Sequence, residues 1–184
     1  MDLGIVVVVV LLIAIGLAAW MLMQRRRSEE LRERFGPEYT RAVEELGDER
    51  RAEAELAARE KRVKHFDIRP LIPQEHERFA QAWRSTQARF VDDPTAAIKE
   101  ADRLVADLMR TRGYPTGDFE QRAADISVDH PAVVENYRAA RDIAIANERG
   151  EASTEDLRKA MVHYRALFAD LLETSEPVEK EVGR

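Results

Sequence analysis

Hydrophobic and polar residues follow three different rules along this chain of 184 residues. Positions 3–23 carry no charged side chain and are rich in Val, Leu, Ile and Ala on every side of any helix they form. Positions 38–64 are mostly polar. Tyr39, Val43 and Leu46 recur there at spacings of four and three, 47–55 is almost empty of apolar residues, and Leu56 and Val63 resume seven apart. From Pro73 onward apolar residues return every third or fourth position, the period of an amphipathic helix.

The first pattern predicts a membrane-spanning helix. As an α-helix the 21 positions from 3 to 23 rise ~31 Å, the thickness of a bilayer's hydrocarbon core. Arg25, Arg26 and Arg27 follow the run and no basic residue precedes it. Basic residues flanking a span stay on the cytoplasmic side, so the expected topology is N-terminus out with the remainder in the cytoplasm. Trp20 fits an interfacial anchor. A cleaved signal peptide fits poorly, because no basic region precedes the run and no Ala-x-Ala pattern ends it. Ala14 and Ala18 form a small-xxx-small spacing, which is read as ordinary lipid-facing packing in the absence of a glycine pair.

The second pattern predicts a helical stalk. Residues 25–35 extend the first helix, and Gly36-Pro37 interrupts it. A second long helix is expected over 38–64, with a kink at Gly47 and support from the i,i+4 pairs Glu55–Arg59 and Glu60–Lys64. Its broken apolar seam favours a solvent-exposed spacer over half of a coiled coil, reaching ~40 Å from end to end.

The third pattern predicts a bundle. Pro70 and Pro73 mark a linker, and a helix carrying Phe79, Ala82, Trp83 and Phe90 follows. Asp93-Pro94 is an N-cap with Pro at the first helical position, opening a stripe of Ile98, Ala101, Leu104, Val105 and Leu108. Gly113 reads as its C-cap, with Tyr114-Pro115 blocking continuation. Asp118 with Gln121 opens a short helix, and His130-Pro131 opens another with Val133, Val134, Tyr137 and Ile145. Ser153 with Asp156 caps the last helix, where Leu157, Ala160, Met161, Tyr164, Leu167, Phe168 and Leu171 repeat at three and four. Nothing alternates with period two. The expected fold is therefore all-α, with a transmembrane anchor over 1–24, a long helical stalk over 25–66, a small bundle of about five helices over 67–173, and a flexible tail over 174–184.

Charge changes the picture only distally. Residues 65–184 hold 17 Lys and Arg against 23 Asp and Glu, which accounts for the net charge of −6. That balance argues against nucleic acid as a partner, because phosphate contacts need clustered cations. Glu29, Glu30 and Glu33 dilute the basic run next to the apolar segment and weaken a dedicated headgroup role. There is no cysteine, so disulfides, thiolate catalysis and Cys-based zinc sites are excluded.

Catalytic constellations do not emerge. The four histidines, His65, His76, His130 and His163, never stand three or four apart, so no helix offers a paired imidazole set. Capping explains His130, and a hydrogen-bonded structural role explains His163 better than catalysis. No glycine-rich phosphate loop or nucleophile elbow is present. Asp92-Asp93, Asp125 and Asp129 are read as turn and cap residues. No catalytic, cofactor or metal residue is assigned. Two surface readings remain. Arg110, Arg112 and Tyr114 combine cations with an aromatic, the composition of binding hot spots, although an ordinary helix C-terminus explains them more simply. Phe79, Trp83 and Phe90 suit a helix-binding groove, but core packing accounts for their spacing.

The phrases Arg34-Phe35-Gly36-Pro37-Glu38-Tyr39, Ala88-Arg89-Phe90-Val91-Asp92-Asp93-Pro94 and Gly150-Glu151-Ala152-Ser153-Thr154-Glu155-Asp156-Leu157 resemble those of a family of uncharacterised bacterial proteins. That family has one N-terminal membrane segment and a helical cytoplasmic part. The resemblance implies a bacterial membrane protein and no known reaction. The expected function is a non-enzymatic interaction or scaffold module at the cytoplasmic face of the cell membrane, with the lipid bilayer and a protein partner or a second copy as its contacts. An enzyme or small-ligand receptor in the bundle is the first alternative, and a structural homo-oligomer through the stalk the second.

Overall fold

Spacing and caps translate into eight helices among the described residues, with no strand: α1 Leu3–Phe35, α2 Pro37–Leu46, α3 Glu49–Val63, α4 Pro73–Arg89, α5 Pro94–Thr111, α6 Phe119–Asp129, α7 Val134–Glu148 and α8 Thr154–Glu173. This computed structural model describes residues 3–115 and 117–173, with side chains from 11 onward and at Val8. The expected tail over 174–184 lies outside the described residues. The all-helical character follows the sequence pattern. The chain divides into two compact units, 1–57 and 58–184.

The expected transmembrane helix is corrected. Among the described residues, no helix is long and apolar enough to cross a membrane. The apolar run of α1 ends at Met23. Arg25, Arg26 and Arg27 then charge the next turn.

The long stalk is corrected as well. Gly36 at φ 49 breaks the chain after α1, and Gly47 in the left-handed conformation closes α2 by donating its N–H to Val43 O. Such positive φ angles suit glycine, which has no Cβ to clash. Beyond these breaks the chain folds back. Arg32 of α1 pairs with Glu49 of α3, and the Tyr39 hydroxyl donates to Glu49 at 2.8 Å and to Glu53 at 3.2 Å. Leu31, Phe35, Tyr39, Ala42, Ala52 and Leu56 are all buried. A straight spacer would have left these sparse apolar residues in water, whereas the turn at Gly47 lets them be covered.

In the second unit α8 is the central helix, packed on α7 and α5, while α4 and α5 form a helical hairpin. Each helix buries the stripe its sequence marks, and the stripes converge in one core that includes Trp83, Ile98, Val105, Leu108, Ile126, Tyr137 and Leu167. Trp83 stacks on Phe168 with ring centroids 4.7 Å apart. Asp93 caps α5 by accepting from Ala96 N at 2.9 Å, and Asp118 caps α6 by accepting from Gln121 N at 2.8 Å. At the start of α4, Glu75 accepts from Ile72 N and holds both terminal nitrogens of Arg69 at 2.8 Å. The guanidinium pulls the Glu75 carboxyl down to about 2.

Two local expectations shift. His130-Pro131 does not open α7. The His130 N–H still bonds Ile126 O at 2.8 Å and closes α6. A turn then precedes Val134. Gly113 does more than end α5. At φ +99 it sits so close to the preceding linker that a Cβ there would lie 2.2 Å from Asp67 O. That approach is fixed by Arg69 N donating to Arg112 O at 2.9 Å.

Candidate interaction surfaces

The proposed surface triad separates. Arg110 is exposed and pairs with Asp107 on its own helix. Arg112 and Tyr114 are buried, at 6% and 3% exposure, so neither presents a surface to a partner. They turn inward because α5 ends where α6 and α8 also end. Arg112 donates to Leu171 O at 3.1 Å, satisfying a carbonyl of the last turn of α8, and its guanidinium stands 3.5 Å from His130 Nε2. Cations at a helix C-terminus also offset its negative dipole end. The Tyr114 hydroxyl donates to Asp129 at 3.0 Å. His130 Nδ1 bonds Asp170 of α8.

This buried network controls protonation. Desolvation pushes the His130 pKa down, partly opposed by the bond to Asp170. The ring is therefore neutral at pH 7, with Nδ1–H donating to the carboxylate. Burial and Asp129 push the Tyr114 hydroxyl up. Both effects keep the groups in the form that makes the hydrogen bonds, so the cluster is a clasp for three helix ends.

A second network crosses the bundle's middle. Asp102 of α5 accepts from the Tyr164 hydroxyl of α8 at 2.9 Å and from Arg141 of α7 at 3.2 Å. Tyr164 is fully buried and its pKa is raised by burial and by Asp102. His163 Nδ1 lies 2.8 Å from Asn136 Oδ1. Asp125, 1% exposed, accepts from Arg62 and Gln121 at 2.8 Å through one oxygen, while its Oδ2 is buried without a partner. Sequence spacing missed the Asp102–Tyr164–Arg141 cluster. Its one signal is a carboxylate beside the Ala101–Val105–Leu108 stripe, which a surface residue of α5 would equally give. Among the described residues no group of three or more His, Asp or Glu side chains is placed to hold a metal.

Surface character lies elsewhere. On α1, Val8, Leu11, Leu12, Ile13, Ile15, Leu17 and residues 20–23 each expose more than half of their area. Such a continuous apolar surface is rare on a protein that works without a contact there. Trp20 and Arg25 stand at its end, on the rim of a cleft of about 360 Å³ that also touches Arg32, Glu49 and Glu53. Arg26 and Arg27 follow Arg25 on the same helix, and their side chains, like those around them, are exposed or half-buried.

Compared with known proteins, the chain matches no family model, no curated protein and no solved structure.

Proposed function

We propose that this protein is a non-enzymatic interaction module that works at the cytoplasmic face of a bacterial membrane. The exposed apolar length of α1 carries the reading. It offers a large hydrophobic surface with Trp20 and a basic turn at its end, a composition suited to lipid and to a lipid-water boundary. The reading asks that lipid cover this surface and does not ask that α1 cross a bilayer. The family resemblance of the three sequence phrases agrees with a bacterial membrane setting. The rival reading, an enzyme or small-ligand receptor in the bundle, centres on Asp125 or His163, and each already holds protein partners.

Flotation of the purified protein with phosphatidylglycerol-phosphatidylcholine vesicles tests the reading. The expected result is co-flotation that is lost when Leu12, Leu17 and Leu22 are replaced by Ser. Unchanged flotation of that variant, or none by the native chain, sinks it. Self-association of the native chain without vesicle binding would favour the homo-oligomer instead.

A further inference from the structure

The α4–α5 hairpin carries a groove on its solvent side. It consists of two adjoining depressions of about 370 and 350 Å³ that share Leu104 and Asp107. Phe79, Ala82 and Leu104 form an apolar floor in one of them. Arg78, Arg89, Lys99, Arg103 and Arg110 stand along the two depressions, against only Glu100 and Asp107. Two of the five cations are already paired, Arg89 with Glu100 and Arg110 with Asp107. Arg78 lies over the Phe79 ring and Arg103 donates to Lys99 O. Among the described residues no carboxylate forms an ion pair with Arg78, Lys99 or Arg103. Those three surplus cations sit on a region whose overall balance is acidic.

We propose that this groove binds an acidic amphipathic helix of a partner protein, its apolar side on Leu104 and Ala82 and its carboxylates toward Lys99, Arg103 and Arg78. The shape and the charge each point to that occupant. From Ala96 to Thr111 the α5 wall presents one or two residues per turn to the groove, so it runs ~22 Å and accepts about four turns of helix. The surplus cations give local complementarity to carboxylates, while the acidic balance of the body around them repels acidic surfaces elsewhere. Nucleic acid is a poor fit, because the floor aromatic, Phe79, is buried and offers no face for base stacking. The proposal rests on the interaction-module reading and names its partner's chemistry.

The test uses the full chain and a fluorescein-labelled Leu/Glu peptide of about 18 residues, long enough for four to five helical turns. Its Glu residues recur once per turn beside a Leu stripe, and a scrambled peptide of the same composition is the control. Binding of the helical peptide is expected, weakened at least about tenfold by the double variant Lys99→Glu, Arg103→Glu and by scrambling. Both positions are exposed, so the thermal unfolding midpoint should hold, and Lys99→Gln, Arg103→Gln should give an intermediate loss. Equal binding of both peptides, indifference to the charge reversal, or groove-dependent binding of phosphatidylglycerol vesicles in place of the peptide would overturn the proposal. So would a dimer of the chain that the same reversal dissociates. Vesicle flotation through α1 is read separately, so the groove can fail while the module reading stands.

Discussion

Helices α1 and α8 are the two longest among the described residues, and they handle apolar residues in opposite ways. In α8 seven apolar side chains keep a spacing of three and four, lie on one stripe and are buried. Along the first two-thirds of α1 they occupy every side, and the described ones are exposed. A stripe can be covered by neighbours on one side, as α7 and α5 cover α8. A helix that is apolar all round needs a surrounding medium or partner, which two or three short polar helices do not supply. Periodicity, more than apolar content, decides whether a helix finds its cover within its own chain.

The sharpest break of the bundle side is at Gly113. Gly113→Ala places a Cβ against Asp67 O and forces an L side chain to φ +99. The expected cost is about 4 kcal/mol or more, visible as a lowered denaturant midpoint. A change below about 1 kcal/mol would show that the linker yields easily.

A paired truncation tests the contrast itself. Leu167→Ala, on the fully buried stripe of α8, is expected to cost about 2–5 kcal/mol. Leu17→Ala on α1, more than half exposed, is expected to change stability by less than about 0.5 kcal/mol while weakening vesicle binding. Equal stability losses at both sites would erase the distinction between covered and uncovered helices.

Smaller effects belong to the polar networks that α8 has and the exposed part of α1 lacks. Tyr164→Phe removes the hydroxyl that donates to Asp102 and should cost about 1.5–3 kcal/mol, because the acceptor is a carboxylate. Arg141 still holds Asp102, so a cost near the upper end would mark Tyr164 as the principal support.

The pH response should be the mildest effect. The His130 pKa is lowered in the fold, so the unfolded chain binds the proton more readily. The stability gained by keeping the ring neutral is present above the unfolded histidine value, near 6.5. It is lost as pH falls through the lower folded value. Asp170, Asp129 and Arg112 face the same cluster, so the slope should be compared with that of His130→Gln, which is expected to flatten it. An unchanged slope in the variant would move the acid sensitivity to another group.

Legibility varied with the range of the interaction. Asp93, Asp118 and the Ser153–Asp156 pair cap the helices they were expected to cap, because a cap involves residues three positions apart. The stripe of α8 was readable for the same reason. Arg112 and Tyr114 were readable only as a polar helix end. Their burial depends on Leu171 and Asp129 arriving from α8 and α6. Asp102 looked like any surface carboxylate until Tyr164 and Arg141 closed on it. The α4–α5 groove was equally hidden, since its cations come from two helices and its floor from the packing between them.

Taken alone, the sequence determined the all-helical character, the helices of the bundle with most of their caps, the acidic distal balance and the exclusion of cysteine chemistry, all consequences of composition and short-range spacing. The tertiary structure decided that 25–57 folds back instead of standing as a spacer, that Arg112, Tyr114 and His130 form an internal clasp, and that the surplus cations of α4 and α5 face one groove. Those outcomes depend on which distant backbone groups and side chains come to share a space, and no local pattern carries that information.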